Sequence, residues 1–130
     1  MKISIPEKMS CVNIKNFGGP ENLIIQTVPI PIPKKNEILI EVITAGLNRP
    51  DIMQRQGLYP PPPGASKIPG LEVSGRIVNI NSSSSKFKIG DKVCALLAGG
   101  GYAEYCTAPE EQVLKAPNGI NLEEAGAIPE

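Results

Sequence analysis

The apolar pattern of this chain comes in short runs, each closed by a cluster of glycine, proline, asparagine or serine. The runs at 10–17 (SCVNIKNF), 22–30 (NLIIQTVPI), 37–46 (EILIEVITAG), 71–80 (LEVSGRIVNI), 91–97 (DKVCALL), 102–109 (YAEYCTAP) and 111–117 (EQVLKAP) all have strand character. In the third, Ile38, Ile40 and Val42 share one face, while Leu39, Glu41 and Ile43 share the other, the two-residue period of a pleated strand. Between the runs stand turn signals: Gly18-Gly19-Pro20, the segment Pro29–Pro33, Asn81–Ser85, Gly99–Gly101 and Pro117-Asn118-Gly119,. Many short strands with regular punctuation predict a mainly β chain, a barrel or a sandwich. Aromatic residues make up only 4% of the chain, so its core has to be built from Ile, Val, Leu and Ala.

Two short helices are expected among the strands. Asn48 is a good N-cap, Asp51 follows three residues on, Pro50 fits the first turn, and Gly57 closes the helix in left-handed geometry,. A second helix opens at Asn121 with Glu124 in capping-box spacing,. It has barely begun when the sequence stops, and this predicts that the 130 residues are one domain's worth of a longer protein,. The four prolines at 60–63 read as a stiff connector between structured elements rather than as a ligand for a proline-binding module,. Ser82–Ser85 reads as a hairpin tip.

Thirteen basic and thirteen acidic residues cancel, so no net field attracts nucleic acid or an anionic membrane. No apolar run approaches membrane-spanning length, and the first residues lack the apolar stretch of a secretory signal,; a soluble cytoplasmic protein is expected. Cys11, Cys94 and Cys106 are widely spaced, form no C-x-x-C pair, and read as reduced, buried thiols,. The chain has no histidine. That removes Ser-His-Asp and Cys-His nucleophiles and every His-ligated metal. The glycine run at 99–101 is followed by a strand rather than a helix, so it reads as a glycine-rich hairpin and not a phosphate cradle. There is no G-x-G-x-x-G and no P-loop motif.

Three places carry polar groups where chemistry can use them. Asn48 and Asp51 lie on one side of the first helical turn; they can cap the helix, orient a polar ligand, or do both. Tyr59 follows the helix and can be an aromatic plug or a hydrogen-bonding lid,. Glu72 stands early in an apolar strand, where a carboxylate needs a partner,.

The stretches GGPENL, AGLNRPDIMQRQGLYPPPPGASKIPGLEVSG, FKIGDKVCALLAGGGYAEY and EEAGAIPE occur in this order. Together they resemble the zinc-independent, zeta-crystallin-like quinone oxidoreductase branch of the medium-chain dehydrogenase/reductase superfamily. The resemblance implies a GroES-like, partly open β-barrel at 10–120 and an N-terminal extension at 1–9. It makes residues 121–130 the start of a helix leading to a Rossmann domain, outside this sequence, that binds NADP(H). In zinc-bearing members of the superfamily, Asn48 corresponds to a cysteine ligand and Leu71-Glu72 to a His-Glu pair, so the resemblance implies no metal here. It places Asn48, Asp51 and Tyr59 along the nicotinamide and substrate cleft. Asn48 bonds near the nicotinamide or the quinone oxygen, Asp51 orients that amide, and Tyr59 covers the cofactor and donates to the substrate oxygen. Met53 stands where many relatives have a second tyrosine, and with Leu71 and Glu72 it would line the substrate pocket. The implied activity is hydride transfer from NADPH to a small-molecule quinone, in a homodimer of the full-length protein. Two other activities share part of the pattern. Enoyl-thioester reductases of the same superfamily carry N-x-x-D-I-x-Q-x-Q-G-x-Y-P, and a GroES-like domain can also be a non-enzymatic interaction module.

Overall fold

The computed structural model describes residues 4–126 and Pro129. Strands β1 (Lys8–Ile14) and β2 (Leu23–Pro29) form an antiparallel ribbon. Strands β3 (Glu37–Ala45), β4 (Glu72–Asn81), β5 (Lys92–Leu96), β6 (Tyr105–Pro109) and β7 (Val113–Lys115) form a second sheet in the order β6-β3-β4-β5-β7, antiparallel throughout. All seven apolar runs of the sequence are strands. The first begins two residues earlier than its pattern suggested, and Met9 in that added turn of strand is buried.

The two sheets meet at residues 102–104. Cys11 bridges Ala103, the Val12 N–H donates to Tyr102 O (2.8 Å), and the Glu104 N–H donates to Ser10 O (3.1 Å). On the other side of this segment the Val42 N–H donates to Glu104 O (2.8 Å). The segment therefore stitches the ribbon to β3, and the whole is a partly open, GroES-like β-barrel with two short helices.

β3 lies inside the larger sheet and buries both faces. Ile38 and Ile40 pack with Val73, Ile77, Val93 and Ala108, while Leu39 points the other way, to Met9, Val78 and Tyr105. Double burial explains the unbroken Ile-Leu-Ile run, where a half-exposed strand would alternate with polar residues.

The glycine run at 99–101 departs from expectation. β5 and β6 are not neighbours; β3 and β4 lie between them. The run is a crossover rather than a hairpin. The tip at 82–85, by contrast, does join the paired strands β4 and β5. Helix α1 (Arg49–Arg55) and helix α2 (Leu122–Ala125) lie where the capping signals put them, and Gly57 takes the positive φ (82°) expected of it. The expected continuation of α2 through Ala127, Ile128 and Glu130 lies outside the described residues, as do residues 1–3 of the N-terminal extension. No helix among the described residues is long and apolar enough to cross a membrane.

Candidate functional site

The site is built where β3 turns into α1. Asn48 is extended (φ −133°, ψ 157°), and Pro50 and Asp51 occupy the first turn that follows. The Asp51 carboxylate reaches back, and its Oδ2 accepts the Asn48 backbone N–H at 2.9 Å. This is the reciprocal bond of a capping box. The Asn48 side chain points across the sheet, where its Nδ2 donates to Glu72 Oε1 at 3.1 Å. Glu72 opens β4 and is buried. Gly46 lets it lie there: a Cβ at Gly46 would sit 2.0 Å from Glu72 Oε1, and the Gly46 N–H donates to Glu72 O at 3.0 Å. One partner of the buried Glu72 carboxylate is thus the side-chain amide of Asn48.

A fourth residue joins them. The Tyr102 phenol donates to Asp51 Oδ2. Its backbone is pinned as well, the Tyr102 N–H donating to Pro69 O (2.9 Å) and Tyr102 O accepting from Val12 N (2.8 Å). The glycine run makes this possible, because Gly101 and Gly70 cross backbone to backbone, with the Gly101 N–H on Gly70 O at 3.1 Å. A Cβ on Gly70 would meet Tyr102 N at 2.6 Å and Gly101 Cα at 2.7 Å. Sequence reasoning missed Tyr102. The only local signal was its place directly after three glycines; nothing in the sequence pairs it with Asp51, 51 positions away.

Asn48, Asp51 and Tyr102 border a cavity of about 380 Å³ whose other walls are Leu23, Leu47, Ile52 and Pro69 together with Arg49 and Arg55. Asp51 is only 8% exposed, and its second oxygen, Oδ1, is buried without a hydrogen-bond partner among the described residues. Leu71 is buried beside Glu72, its carbonyl accepting from Leu97 N (2.7 Å). Tyr59 lies elsewhere. It is exposed on a separate concavity with Phe17, Gln54 and the proline run. Met53 is half-buried in α1 and lines neither cavity; its carbonyl accepts from Leu58 N at 2.8 Å. The structure brings Asn48, Asp51 and Glu72 together, adds Tyr102, and leaves Tyr59 and Met53 apart from them.

Burial pushes the Tyr102 phenol well above its ordinary range, and the hydrogen bond to Asp51 and the negative charges of Asp51 and Glu72 push the same way. Burial likewise raises the Cys11 thiol; it raises Cys94 with help from Glu72, and lifts Cys106 to about 12. All three thiols are free and buried, so none is a ready thiolate. A phenol whose folded pKa exceeds its unfolded value holds its proton longer in the folded state. Its contribution is complete below about pH 10 and is lost as pH rises from there toward the folded value. The raised thiols have the same sign from about pH 8.5 upward. The unfolding midpoint is therefore expected to fall in alkali, and Tyr102→Phe is expected to flatten that fall above pH 10. Parallel wild-type and variant curves in urea titrations would show that Tyr102 does not carry it.

The donor set does not suit zinc. Asn48 and Leu71 offer neither thiolate nor imidazole, and no three His, Cys, Asp or Glu side chains among the described residues are placed to share a metal ion,.

Comparison with known proteins places this geometry in context. Residues 34–118 match the alcohol dehydrogenase GroES-like domain. The quinone oxidoreductase of Lama guanicoe is 38% identical over 122 residues, which is 92% of this chain and 37% of that protein. The chain thus spans little more than a third of the length of this curated relative. Among solved structures, human synaptic vesicle membrane protein VAT-1 homolog-like protein superposes with a TM-score of 0.86 at 35% identity, covering 93% of this chain and 39% of that one. A mycobacterial protein complexed with NADPH superposes with a TM-score of 0.78 at 32% identity, covering 91% of this chain and 35% of that one.

Proposed function

The chain belongs to the alcohol dehydrogenase GroES-like domain family of the medium-chain dehydrogenase/reductase superfamily, and from that premise we propose that it is the catalytic portion of an NADPH-dependent quinone oxidoreductase that works without zinc. The observation that carries this reading is the hydrogen-bonded set Asn48, Asp51, Glu72 and Tyr102 beside a cavity walled by leucine, isoleucine, proline and arginine side chains. The leucine, isoleucine and proline side chains suit the face of a flat ring, while Arg49 and Arg55 add cationic groups to the same walls,. Within them Asn48 is the fixed polar group, held at its backbone by Asp51 and at its side chain by Glu72. Its role is to orient the nicotinamide end of the cofactor or the quinone oxygen. The family resemblance gives Tyr59 the part of lid and proton donor, acting from its separate concavity, while Met53 and Leu71, which line neither concavity, are given no direct contact with substrate.

The bound NADPH supplies the hydride. This chain offers its nicotinamide end a polar anchor but has no dinucleotide fingerprint for the phosphates, so the rest of the parent protein, a Rossmann domain, holds those. Asp51 Oδ1, buried with no donor among the described residues, leaves an acceptor open beside that polar anchor,.

The test is an acceptor screen on the parent protein with NADPH, using ortho- and para-quinones in one arm and enoyl thioesters in the other. Oxidation of NADPH with quinones is expected, and none by the 130-residue chain alone. Turnover of enoyl thioesters without quinones would assign the protein to the reductases that share its N-x-x-D-I-x-Q-x-Q-G-x-Y-P motif.

A further inference from the structure

The acidic centre of the site is fed from one direction. Asp51 Oδ2 takes two donors, the Asn48 backbone N–H and the Tyr102 hydroxyl, while Oδ1 takes none among the described residues. Asp51 is more than nine-tenths buried. A carboxylate so placed depends heavily on each donor it has, because losing a hydrogen bond to a buried charged group leaves that group undersatisfied. Tyr102 can supply its hydroxyl reliably because its own backbone is fixed at both ends, on Pro69 and on Val12.

We propose that Tyr102 is a positioning residue for Asn48. Its hydroxyl sets the Asp51 carboxylate, the carboxylate sets the Asn48 backbone, and the Asn48 amide is thereby aimed at Glu72. No step needs Tyr102 to touch a ligand. Its relevance to hydride transfer rests on the function proposed above, but the geometric claim does not. A plain aromatic plug would act differently, because it would support the barrel through its ring and be indifferent to its hydroxyl.

Tyr102→Phe separates the two, since it keeps the ring and removes the oxygen. In the nitrogen-15-labelled chain, amide hydrogen exchange at Asn48 is expected to speed up by about tenfold or more, in line with the loss of one charge-assisted bond behind it. The Asn48 side-chain amide resonances should move, while β3 and β4 amides keep their protection to within about twofold. Asp51→Asn, which leaves a neutral acceptor in the same place, is expected to produce the same local pattern. Unchanged Asn48 exchange in Tyr102→Phe would overturn the proposal. So would a loss of protection spread evenly over the sheet in both variants, which would make Tyr102 a support of the fold. The measurement uses neither cofactor nor substrate, so its outcome is independent of whether the parent reduces quinones.

Discussion

Gly70→Ala is expected to remove on the order of 3 kcal/mol or more from the stability of the chain, from two separate sources. The first is backbone conformation: φ at Gly70 is 110°, a region left almost entirely to glycine. The second is contact. The new methyl would lie 2.6 Å from Tyr102 N and 2.7 Å from Gly101 Cα, both main-chain atoms that cannot swing aside. Relief requires the crossing at Gly70 and Gly101 to open, which stretches the bonds from Gly101 N to Gly70 O and from Tyr102 N to Pro69 O. Tyr102 would then leave Asp51. Gly90→Ala is the control, because Gly90 also has a positive φ (95°) but its Cβ would meet nothing within 4 Å. It should lose only the conformational part, roughly 1 kcal/mol. Urea midpoints of the two variants give the difference directly. Equal midpoints would mean that the crossing at Gly70 is loose.

Why the sequence foretold some of this and not the rest has a physical explanation. Strand periodicity is local, and every one of the seven runs gave a strand because alternation and turn residues act within a few positions,. The cap of α1 was legible for the same reason, since Asn48, Pro50, Asp51 and Gly57 act within one helix. Glu72 was legible as a carboxylate early in an apolar strand that needs a partner, though neither its burial nor its bond to Asn48, 24 positions away, was. The glycine run misled because a glycine-rich link between two strands favours a hairpin by default; strand order, a property of the whole sheet, made it a crossover. Tyr102 was lost with it, for its role exists only once that crossover has carried it to Asp51. Tyr59 sits beside the prolines in a concavity of its own, and adjacency to Asn48 in the chain did not become adjacency in space.

The second large effect concerns Asn48 itself. If Asn48 is only a helix cap, its replacement by alanine costs about 1 kcal/mol of stability and leaves the chemistry alone. If it is the fixed polar group of a metal-free reductase site, its loss removes an oriented hydrogen-bonding group from the place where charge develops, an effect of about a hundredfold or more on turnover. The two roles separate because the backbone half of the cap comes from Asp51 to the Asn48 N–H, and alanine keeps that N–H. The Asn48→Ala protein should therefore keep its helix start, with a midpoint lowered by the lost donor to the buried Glu72 as well as by the lost cap, and bind NADPH through the rest of the parent with a KM changed by no more than about threefold. The decisive measurement is the steady-state kcat for NADPH-driven quinone reduction by the parent protein and its Asn48→Ala variant, at matched fractions folded. A fall of about a hundredfold with NADPH affinity retained is the predicted result; equal kcat values in the two proteins would contradict the account.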